Sequence, residues 1–291
     1  MKSGREDTPM LGRSSICSIA LMAALCVTIE NATIEGAHAF DDAAYPDWKG
    51  AWFGTGGRYD ASKPAGLGQQ APFTPEFQKI LEASIADQDN GGQGENPGYR
   101  CASHGMPRVM IANVPIGFVI MPETTYVMLE RLSQVRRIYT DGRGWPAQLK
   151  ASSLGYSIGK WIDEDGDGRY DTLEAETRGL KHPHVYDSSG TPFHPDERAV
   201  VKERIRLDKT NPNVLRNEIT VIDNALTRPW TVIRSYRRER DYRWSEYVCA
   251  ANNQHVVIGK EDYFLSADGL LMPVRKDQKP PDLRHFDRAR Q

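Results

Sequence analysis

Short runs in which apolar and polar residues alternate fill the chain from residue 116 onward. Alternation with a period of two places one face of a strand in the core and the other in solvent, so each run predicts a β-strand. Turn-forming residues separate the runs, which predicts consecutive antiparallel strands that close into a barrel or pack as a sandwich to protect their edges. We favour the barrel. The ten predicted strands cover residues 116–121, 125–130, 133–140, 154–162, 171–177, 199–207, 214–223, 230–238, 243–249 and 256–264.

One helix is predicted ahead of these strands. Thr74 is placed to cap it, and Pro75 suits the first helical position. Asn90-Gly91-Gly92 is expected to end it. One face of the helix carries apolar residues at helical spacing, which predicts ordinary core packing by Phe77, Ile80, Leu81 and Ile85.

The segment Trp48-Lys49-Gly50-Ala51-Trp52 predicts a short aromatic strand that opens the domain. Its Gly50-x-Trp52 resembles the Gly-x-Trp signature on the first strand of lipocalins. That resemblance implies that an arginine of a late strand, Arg228 or Arg234, covers the Trp52 indole. The predicted fold is therefore mostly β: an antiparallel lipocalin-like β-barrel with one N-terminal helix and long loops.

Residues 1–39 have the features of a cleaved signal peptide. Basic residues precede an apolar run at 16–27, and Ala37-His38-Ala39 supplies small residues at a cleavage position. The run is too short to span a bilayer, so membrane insertion is not expected. We predict a periplasmic or secreted protein with one barrel domain at 40–274 and a loose C-terminal tail at 275–291.

Charge and cysteine content narrow the partners and the compartment. Lys and Arg number 37 against 39 Asp and Glu, a balance that gives no electrostatic footprint for nucleic acid. Cys101 and Cys249 follow the predicted cleavage site, and two such cysteines in an oxidising compartment most often pair with each other. We therefore predict a Cys101–Cys249 disulfide, and the oligomeric state stays open.

A twelve-residue segment beginning at Asp163 matches an EF-type calcium loop at every side-chain ligand position. Ca²⁺ prefers six to eight hard oxygen ligands, and a glycine permits the turn. The flanking residues have strand patterns, so the loop predicts a calcium-stapled hairpin with a structural role; an acidic solvated turn is the alternative. The predicted ligands are the carboxylates of Asp163, Asp165, Asp167, Asp171 and Glu174 and the carbonyl of Arg169.

The loop at 178–198 holds three histidines, His182, His184 and His194. His-x-His spacing is compatible with a transition metal, but neither cysteines nor a helical HExxH pattern accompany it, so we do not predict a metal there. His194 or His184 is a candidate general acid or base, because imidazole titrates near neutral pH. The sequence contains no P-loop and no dinucleotide-binding fingerprint, which disfavours an NTPase or a Rossmann oxidoreductase.

Adjacent arginines on one predicted strand pose the question of which faces inward. Alternation puts Arg137 with Val135 and Tyr139 on one side of the strand and Arg136 with Ile138 on the other. A buried arginine needs an anionic partner. Two interpretations stay open: a structural ion pair, or a site for a ligand carboxylate. The candidate protein partners are Glu203, Glu218 and Glu246.

Four motifs in order resemble a large family of secreted, mostly uncharacterised bacterial β-rich proteins. They lie at residues 136–143 (RRIYTDGR), 157–161 (SIGKW), 225–230 (ALTRPW) and 246–253 (EYVCAANN). The resemblance extends from Pro46 to Asn253. Its nearest functional association is with cofactor-free decarboxylases of phenylcoumaran-type, lignin-derived aromatic acids. It implies a lyase of aromatic-compound catabolism that needs no cofactor for its chemistry, and the Ca²⁺ predicted for the acidic loop would be a structural ion.

Such a reaction needs a cationic site for the carboxylate and a group that moves a proton at the phenol. On this interpretation Arg137 and Arg228 would hold the carboxylate. Proton transfer would fall to Tyr139, His194 or Glu246. The aryl rings would stack on Trp230, Trp244 and Tyr247. The alternative function is a non-catalytic envelope protein that binds an apolar or aromatic ligand.

Overall fold

A computed structural model describes most of the chain after residue 40. The described residues are 41–55, 70–96, 98, 101–111, 114–130, 134–249, 255–258, 261–266 and 268–281. The predicted signal peptide at 1–39 lies outside them. The described part is mostly β, with a short 3-10 helix at Asp42–Ala44 and two α-helices, α1 (Pro75–Asp89) and α2 (Arg108–Ile111).

Nine strands close a barrel of the lipocalin-like class, which confirms the predicted fold class. Each strand pairs with its sequence neighbours, and the first pairs with the ninth. The strands are β1 (Ala51–Thr55), β2 (Ile116–Ile120), β3 (Thr124–Leu129), β4 (Gln134–Tyr139), β5 (Tyr156–Ile162), β6 (Thr172–Arg178), β7 (Val200–Leu207), β8 (Val214–Ile222) and β9 (Trp230–Glu239).

One strand pair departs from the antiparallel pattern. β4 and β5 are parallel, with Ile138 opposite Ser157 and Tyr139 opposite Ile158. Parallel neighbours need a connection that returns to the starting end of the sheet, because both strands run the same way. Residues 140–155 make that return, and we call them the crossover segment.

Alternation along each strand separates the barrel interior from its outer face. In β7, Val201, Glu203 and Ile205 are buried, while Lys202 and Arg204 face outward. The apolar inward positions build one core, because side chains of period two from nine strands meet inside the closed sheet. Its largest members include Trp48, Trp52, Ile116, Ile138, Leu173 and Trp230.

Helix α1 confirms the predicted helix and begins at Pro75 after Thr74. Phe77 and Leu81 are buried, whereas Ile85 is 39% exposed, so the buried stripe is narrower than predicted. The reason is that α1 packs on loops rather than on a broad sheet face. The Ser84 hydroxyl donates to the Ser189 carbonyl at 2.8 Å, which ties α1 to the loop between β6 and β7.

The Trp52 indole is covered by Arg238, not by Arg228 or Arg234 as predicted. The Arg238 guanidinium lies 4.5 Å from the centre of the indole and donates to the Asp47 carboxylate at 3.0 Å. Register explains the correction, because Trp52 and Arg238 are direct partners of β1 and β9. The lipocalin-like indole and arginine pair is therefore present, with a different arginine.

The segment at 243–249 is not a strand, contrary to the prediction. Trp244 of this segment packs on the outside of the barrel: a Cβ at Gly117 would lie 2.7 Å from the Trp244 ring. The predicted strand at 256–264 is a hairpin, which joins a third strand in a separate sheet. That sheet contains β10 (His255–Ile258), β11 (Glu261–Leu265) and β12 (Leu271–Pro273).

Cys101 and Cys249 form the predicted disulfide, with their Cα atoms 5.5 Å apart. The bond links the segment before α2 to the residues that leave the barrel. The first part of the predicted tail is attached as well, because the Gln278 amide donates to the Asp262 carbonyl at 2.8 Å. Residues 282–291 lie outside the described residues.

Candidate ligand-binding site

The five residues predicted to be catalytic do not meet in the structure. Arg137 and Tyr139 lie on the outer face of β4, and Arg137 is exposed. His194 lies in the loop between β6 and β7, and Arg228 is exposed in the loop before β9. Glu246 is exposed in the segment that follows the barrel. The constellation proposed from the sequence is therefore not assembled by this fold.

Arg136, the neighbour of Arg137, is the arginine that enters the barrel. It is 1% exposed and donates to the Glu203 carboxylate through Nη2. Its Nη2 also reaches the Thr177 hydroxyl at 3.0 Å, and its Nε reaches the Ser157 hydroxyl at 3.3 Å. The Asn217 amide donates to the second Glu203 oxygen at 2.8 Å. The buried pair is thus hydrogen-bonded on both partners, which favours the structural ion-pair interpretation over a ligand site.

The same layer contains Arg234 and Tyr236. Arg234 is 3% exposed and lies directly opposite Asn217 in the register of β8 and β9. Burial raises the pKa of the Tyr236 phenol, and the negative charge of Glu203 raises it further. The phenol donates to the Met110 carbonyl of α2. This polar layer therefore connects the barrel wall to the helix beside it and holds Tyr236 in its protonated form.

Ser157 lies in a sequence motif typical of nucleophilic serines, but its position in the fold does not suit that role. Gly155-Tyr156-Ser157-Ile158-Gly159 has the Gly-x-Ser-x-Gly spacing of α/β-hydrolase nucleophiles, which stand on a sharp turn between a strand and a helix. Ser157 instead lies within β5, is 1% exposed, and shares a hydrogen bond of 2.8 Å with Thr177. It supports Arg136 and is not a nucleophile elbow.

Two of the three residues predicted to stack on aryl rings, Trp230 and Trp244, lie on opposite sides of the barrel wall. Trp230 is 1% exposed and packs on Tyr186 with ring centres 4.3 Å apart. Trp244 covers Gly117 on the outside of β2. Tyr247, which lies between Trp244 and Cys249 in the sequence, is half-buried. Trp230 and Trp244 therefore do not form a common aromatic surface.

A ligand-sized cavity lies on the outside of the barrel. It is a groove of about 650 Å³ between the crossover segment and the outer faces of β5 to β8. Pockets for small molecules measure about 300–1,000 Å³, so the groove has a suitable size. The side chains that matter for its chemistry are Arg143 and Trp145 from the crossover segment and Lys160, Glu176, Arg178 and Lys202 from the strands.

One wall of the groove combines an indole with an excess of positive charge. The Arg178 guanidinium stacks 4.5 Å from the centre of the Trp145 ring. Its Nε donates to Glu176 at 2.6 Å, and the Lys202 ammonium lies 3.7 Å from the same carboxylate. Two cations thus share one carboxylate beside an aromatic face, which leaves a local charge of +1.

Tyr139 and Tyr156 extend the aromatic surface next to Trp145. Their ring centres are 5.0 Å apart, and the Arg143 guanidinium covers the Tyr139 ring at 4.0 Å. Arg143 also binds Asp141 through both carboxylate oxygens, and these hydrogen bonds lower the pKa of Asp141 to about 2. Tyr139 is therefore the one predicted catalytic residue that lies beside the groove. No ligand-binding residue is predicted from the sequence in the crossover segment, although it contains Arg143 and Trp145.

The acidic loop between β5 and β6 gathers part of the predicted calcium ligands. Carboxylate oxygens of Asp163, Asp165 and Asp171 lie within 4.8 Å of one another. Positive φ angles at Gly166 and Gly168 curl the loop so that their amides bind the Asp163 carboxylate. Oδ1 of Asp171 is buried and accepts no hydrogen bond from any residue that the structure describes. Three converging carboxylates with an unused oxygen fit a hard divalent cation.

The other predicted ligands do not join this group. Glu174 faces outward from β6, where its carboxylate lies 3.1 Å from the Lys160 ammonium and 3.7 Å from Arg204. A strand after the loop explains this, because it cannot turn position twelve back toward the loop as an EF-hand helix does. The Asp167 carboxylate accepts a hydrogen bond from the Arg169 amide at 2.8 Å and lies outside the cluster. We therefore include neither the Asp167 carboxylate nor the Arg169 carbonyl among the cation ligands.

A scan against protein-family models finds no match to this chain, and a search of curated proteins finds none either. The family resemblance of the four motifs accordingly stays a prediction. Within the residues that the structure describes, no helix is long and apolar enough to cross a membrane. The groove and the acidic loop are therefore the features of this protein that bear on its function.

Proposed function

We propose that this protein binds a small aromatic carboxylic acid in the groove on the outer face of the barrel. The proposal is based on one observation: the Arg178 guanidinium stacks on the Trp145 indole, and Arg178 and Lys202 share a single carboxylate, that of Glu176. A disulfide persists in oxidising compartments, which supports action in the periplasm or outside the cell.

The groove matches both halves of such a ligand. An aryl ring would gain stacking energy on the Trp145 indole, which lines the groove. The carboxylate gains a charge-assisted hydrogen bond where Arg178 and Lys202 exceed the single charge of Glu176. Because the groove is open to water, rim charges contribute more to selection of an anion than to tight affinity.

Decarboxylation, which the sequence resemblance implies, stays a prediction. The residues assigned to it lie apart, and Tyr139 alone of the five is beside the groove. A proton donor at this position would be a phenol that already packs against Tyr156. Binding without turnover is thus the function that the geometry supports better.

The test is a titration of residues 40–291 with a panel of lignin-derived aromatic carboxylic acids by isothermal calorimetry, with product analysis by liquid chromatography and mass detection. Trp145→Ala and Lys202→Gln are each expected to weaken binding by about tenfold, because one loses a stacking face and the other a charge. Thermal stability should change little in Lys202→Gln, since its side chain is 55% exposed.

Lys181→Gln, which removes an exposed lysine elsewhere, is the matched control and should bind like the wild type. Trp244→Ala tests the site predicted from the sequence. Loss of binding in Trp244→Ala but not in Trp145→Ala would place the ligand away from the groove. A product lighter by CO₂, formed over many turnovers, would make the protein a lyase, and stoichiometric retention of unchanged acid would make it a binding protein.

We also propose that the acidic loop binds Ca²⁺ through Asp163, Asp165 and Asp171. The ion would neutralise three converging carboxylates and fix the hairpin of β5 and β6, so its role would be structural. A ligand that binds only the folded state stabilises it by about 2.7 kcal/mol at a hundredfold excess over its dissociation constant.

Thermal unfolding after chelation and after addition of Ca²⁺ or Mg²⁺ tests this proposal. We expect Ca²⁺ to raise the melting temperature and Asp165→Asn to remove most of that rise. Asp167→Asn is the control, because it has the same exposed setting but lies outside the cluster, and it should respond to Ca²⁺ like the wild type. An unchanged melting temperature with Ca²⁺, or an equal loss in both variants, would contradict the assignment.

A further inference from the structure

A second cavity opens on the outer face of β7 and β8, near the loop between β5 and β6. It measures about 270 Å³, and we call it the Arg206 pocket. It shares Arg204 and Glu218 with the groove, but Trp145, Arg178 and Lys202 do not line it. Its charged side chains are Glu164, Arg204, Arg206, Lys209, Arg216 and Glu218.

Two arginines face each other directly across the strands of this pocket. Arg206 of β7 and Arg216 of β8 are register partners, and both point to the outer face. Like charges in direct cross-strand positions destabilise a sheet unless something neutralises them. Arg216 has a partner, because its Nε donates to Asp208 at 2.6 Å. Hydrogen bonds from Thr210 and Arg216 lower the pKa of Asp208, so this carboxylate stays ionised.

Arg206 has no such partner. Its half-buried side chain makes neither a hydrogen bond nor an ion pair with any residue in the described part of the chain. Arg204, the next outward residue on β7, is already engaged by Glu164 and by Glu174 at 3.7 Å. The Arg206 guanidinium is therefore held beside another cation with its donors unused.

The charges of the pocket add up to a surplus of one positive charge. Arg204 is balanced by Glu164, and Arg216 is balanced by Asp208. Arg206 and the exposed Lys209 remain, against Glu218 alone. A guanidinium offers parallel N–H donors that match the two oxygens of a carboxylate, phosphate or sulfate group.

We infer that the Arg206 pocket is an oxyanion-binding site, in which Arg206 and Lys209 bind a phosphate, sulfate or carboxylate group. The bound oxyanion would occupy the volume between the strands and relieve the repulsion between Arg206 and Arg216. This site does not depend on the proposed function, because the residues that carry it differ from those that carry the groove.

The experiment compares the wild type with Arg206→Gln by thermal unfolding and calorimetry. The probes are sodium phosphate, sodium sulfate and sodium acetate, each at an ionic strength matched with sodium chloride. Without an oxyanion, Arg206→Gln should melt higher than the wild type, because the variant removes one of two opposed charges. With phosphate or sulfate, the wild type should gain stability, and its affinity should exceed that of the variant by about tenfold.

Arg198→Gln is the matched control, since it removes an exposed guanidinium just before the opposite end of β7. It should retain the wild-type response to the probes. A response to acetate alone would assign a carboxylate as the ligand group, and a stronger response to phosphate or sulfate would assign a tetrahedral anion. The inference is overturned if Arg206→Gln keeps the full response, or if Arg198→Gln loses as much of it. Trp145→Ala should respond to the oxyanion probes like the wild type. This variant therefore distinguishes failure of the Arg206 pocket from failure of the groove.

Discussion

Arg136 and Arg137 are adjacent in sequence and yet belong to two different regions of the molecule. Arg136 lies inside the barrel, where Glu203, Thr177 and Ser157 accept its hydrogen bonds. Arg137 lies on the outer face in solvent. The strand period alone separates the two arginines, because successive side chains of a strand point to opposite sides.

The two arginines show that charge inside the barrel stabilises the fold, whereas charge on the outer face remains exposed to solvent. Inside, the polar layer is dehydrated, so each charge needs a fixed partner and its loss is felt by the whole fold. Outside, water screens the ion pairs of β5 to β8, which contribute little to stability. Side chains such as Lys202 and Arg206 are therefore available to bind ligands.

Arg136→Met is expected to change the free energy of unfolding more than any other substitution proposed for these two regions. Removing the arginine leaves Glu203 buried without a counter-charge, which should lower the free energy of unfolding by about 3–5 kcal/mol. Arg137→Met is the matched control on the outer face and should change it by about 0.5 kcal/mol or less. Urea unfolding at neutral pH measures both.

A second variant separates loss of the charge pair from loss of packing. Arg136→Met combined with Glu203→Leu replaces both buried charges by apolar side chains, and this should recover much of the stability lost in Arg136→Met. If Arg136→Met and Arg137→Met proved equally stable, the distinction between an inner structural layer and a solvent-exposed outer face would be wrong.

A slightly smaller effect on stability is expected from protonation of a buried histidine inside the protein. His184 is 4% exposed, and its ring stacks on Phe193 with centres 4.3 Å apart. Burial lowers its pKa from 6.5 to about 4, and the neighbouring His182 contributes in the same direction. The neutral ring is therefore favoured in the folded state.

The sign of the pH dependence follows from that shift. The stabilisation is fully present above about pH 6.5 and is lost as the pH falls toward 4, because the unfolded chain gains the proton first. The full change is about 3 kcal/mol. Near pH 8, the free energy of unfolding of His184→Phe should depend on pH as that of the wild type does. Between pH 6.5 and 4, its decline should be smaller than the wild-type decline by about 3 kcal/mol. Identical profiles over this range in urea unfolding would mean that His184 is not the responsible group.

Much of the fold could be predicted because its signals are local. Eight of the barrel strands lie within a few residues of their predicted bounds, since the alternation of apolar and polar residues is itself a local property. Helix α1 was visible from Pro75 and its apolar spacing. The segment at 243–249 misled the prediction, because aromatic residues favour strands, whereas Trp244 here packs against Gly117 on the outside of the barrel.

Less of the candidate site could be predicted, because it depends on distant pairings. The groove exists only because β4 and β5 are parallel, which sends the crossover segment along the outside. The Arg206 pocket depends on the register that sets Arg206 opposite Arg216. Alternation shows that a residue faces outward but not which residue of the next strand it meets.

Eight strands of the barrel, the residues of each strand that share a face, the helix and the cysteine pair were predictable from the sequence, because these follow from spacing within the chain and from a count. The tertiary structure alone decided that Arg136 pairs with Glu203, that Arg238 covers Trp52, and that Glu174 leaves the acidic loop. The physical reason is that barrel closure fixes register between residues far apart in sequence. Burial then selects, from several arginines and glutamates of the same type, the ones that must neutralise each other.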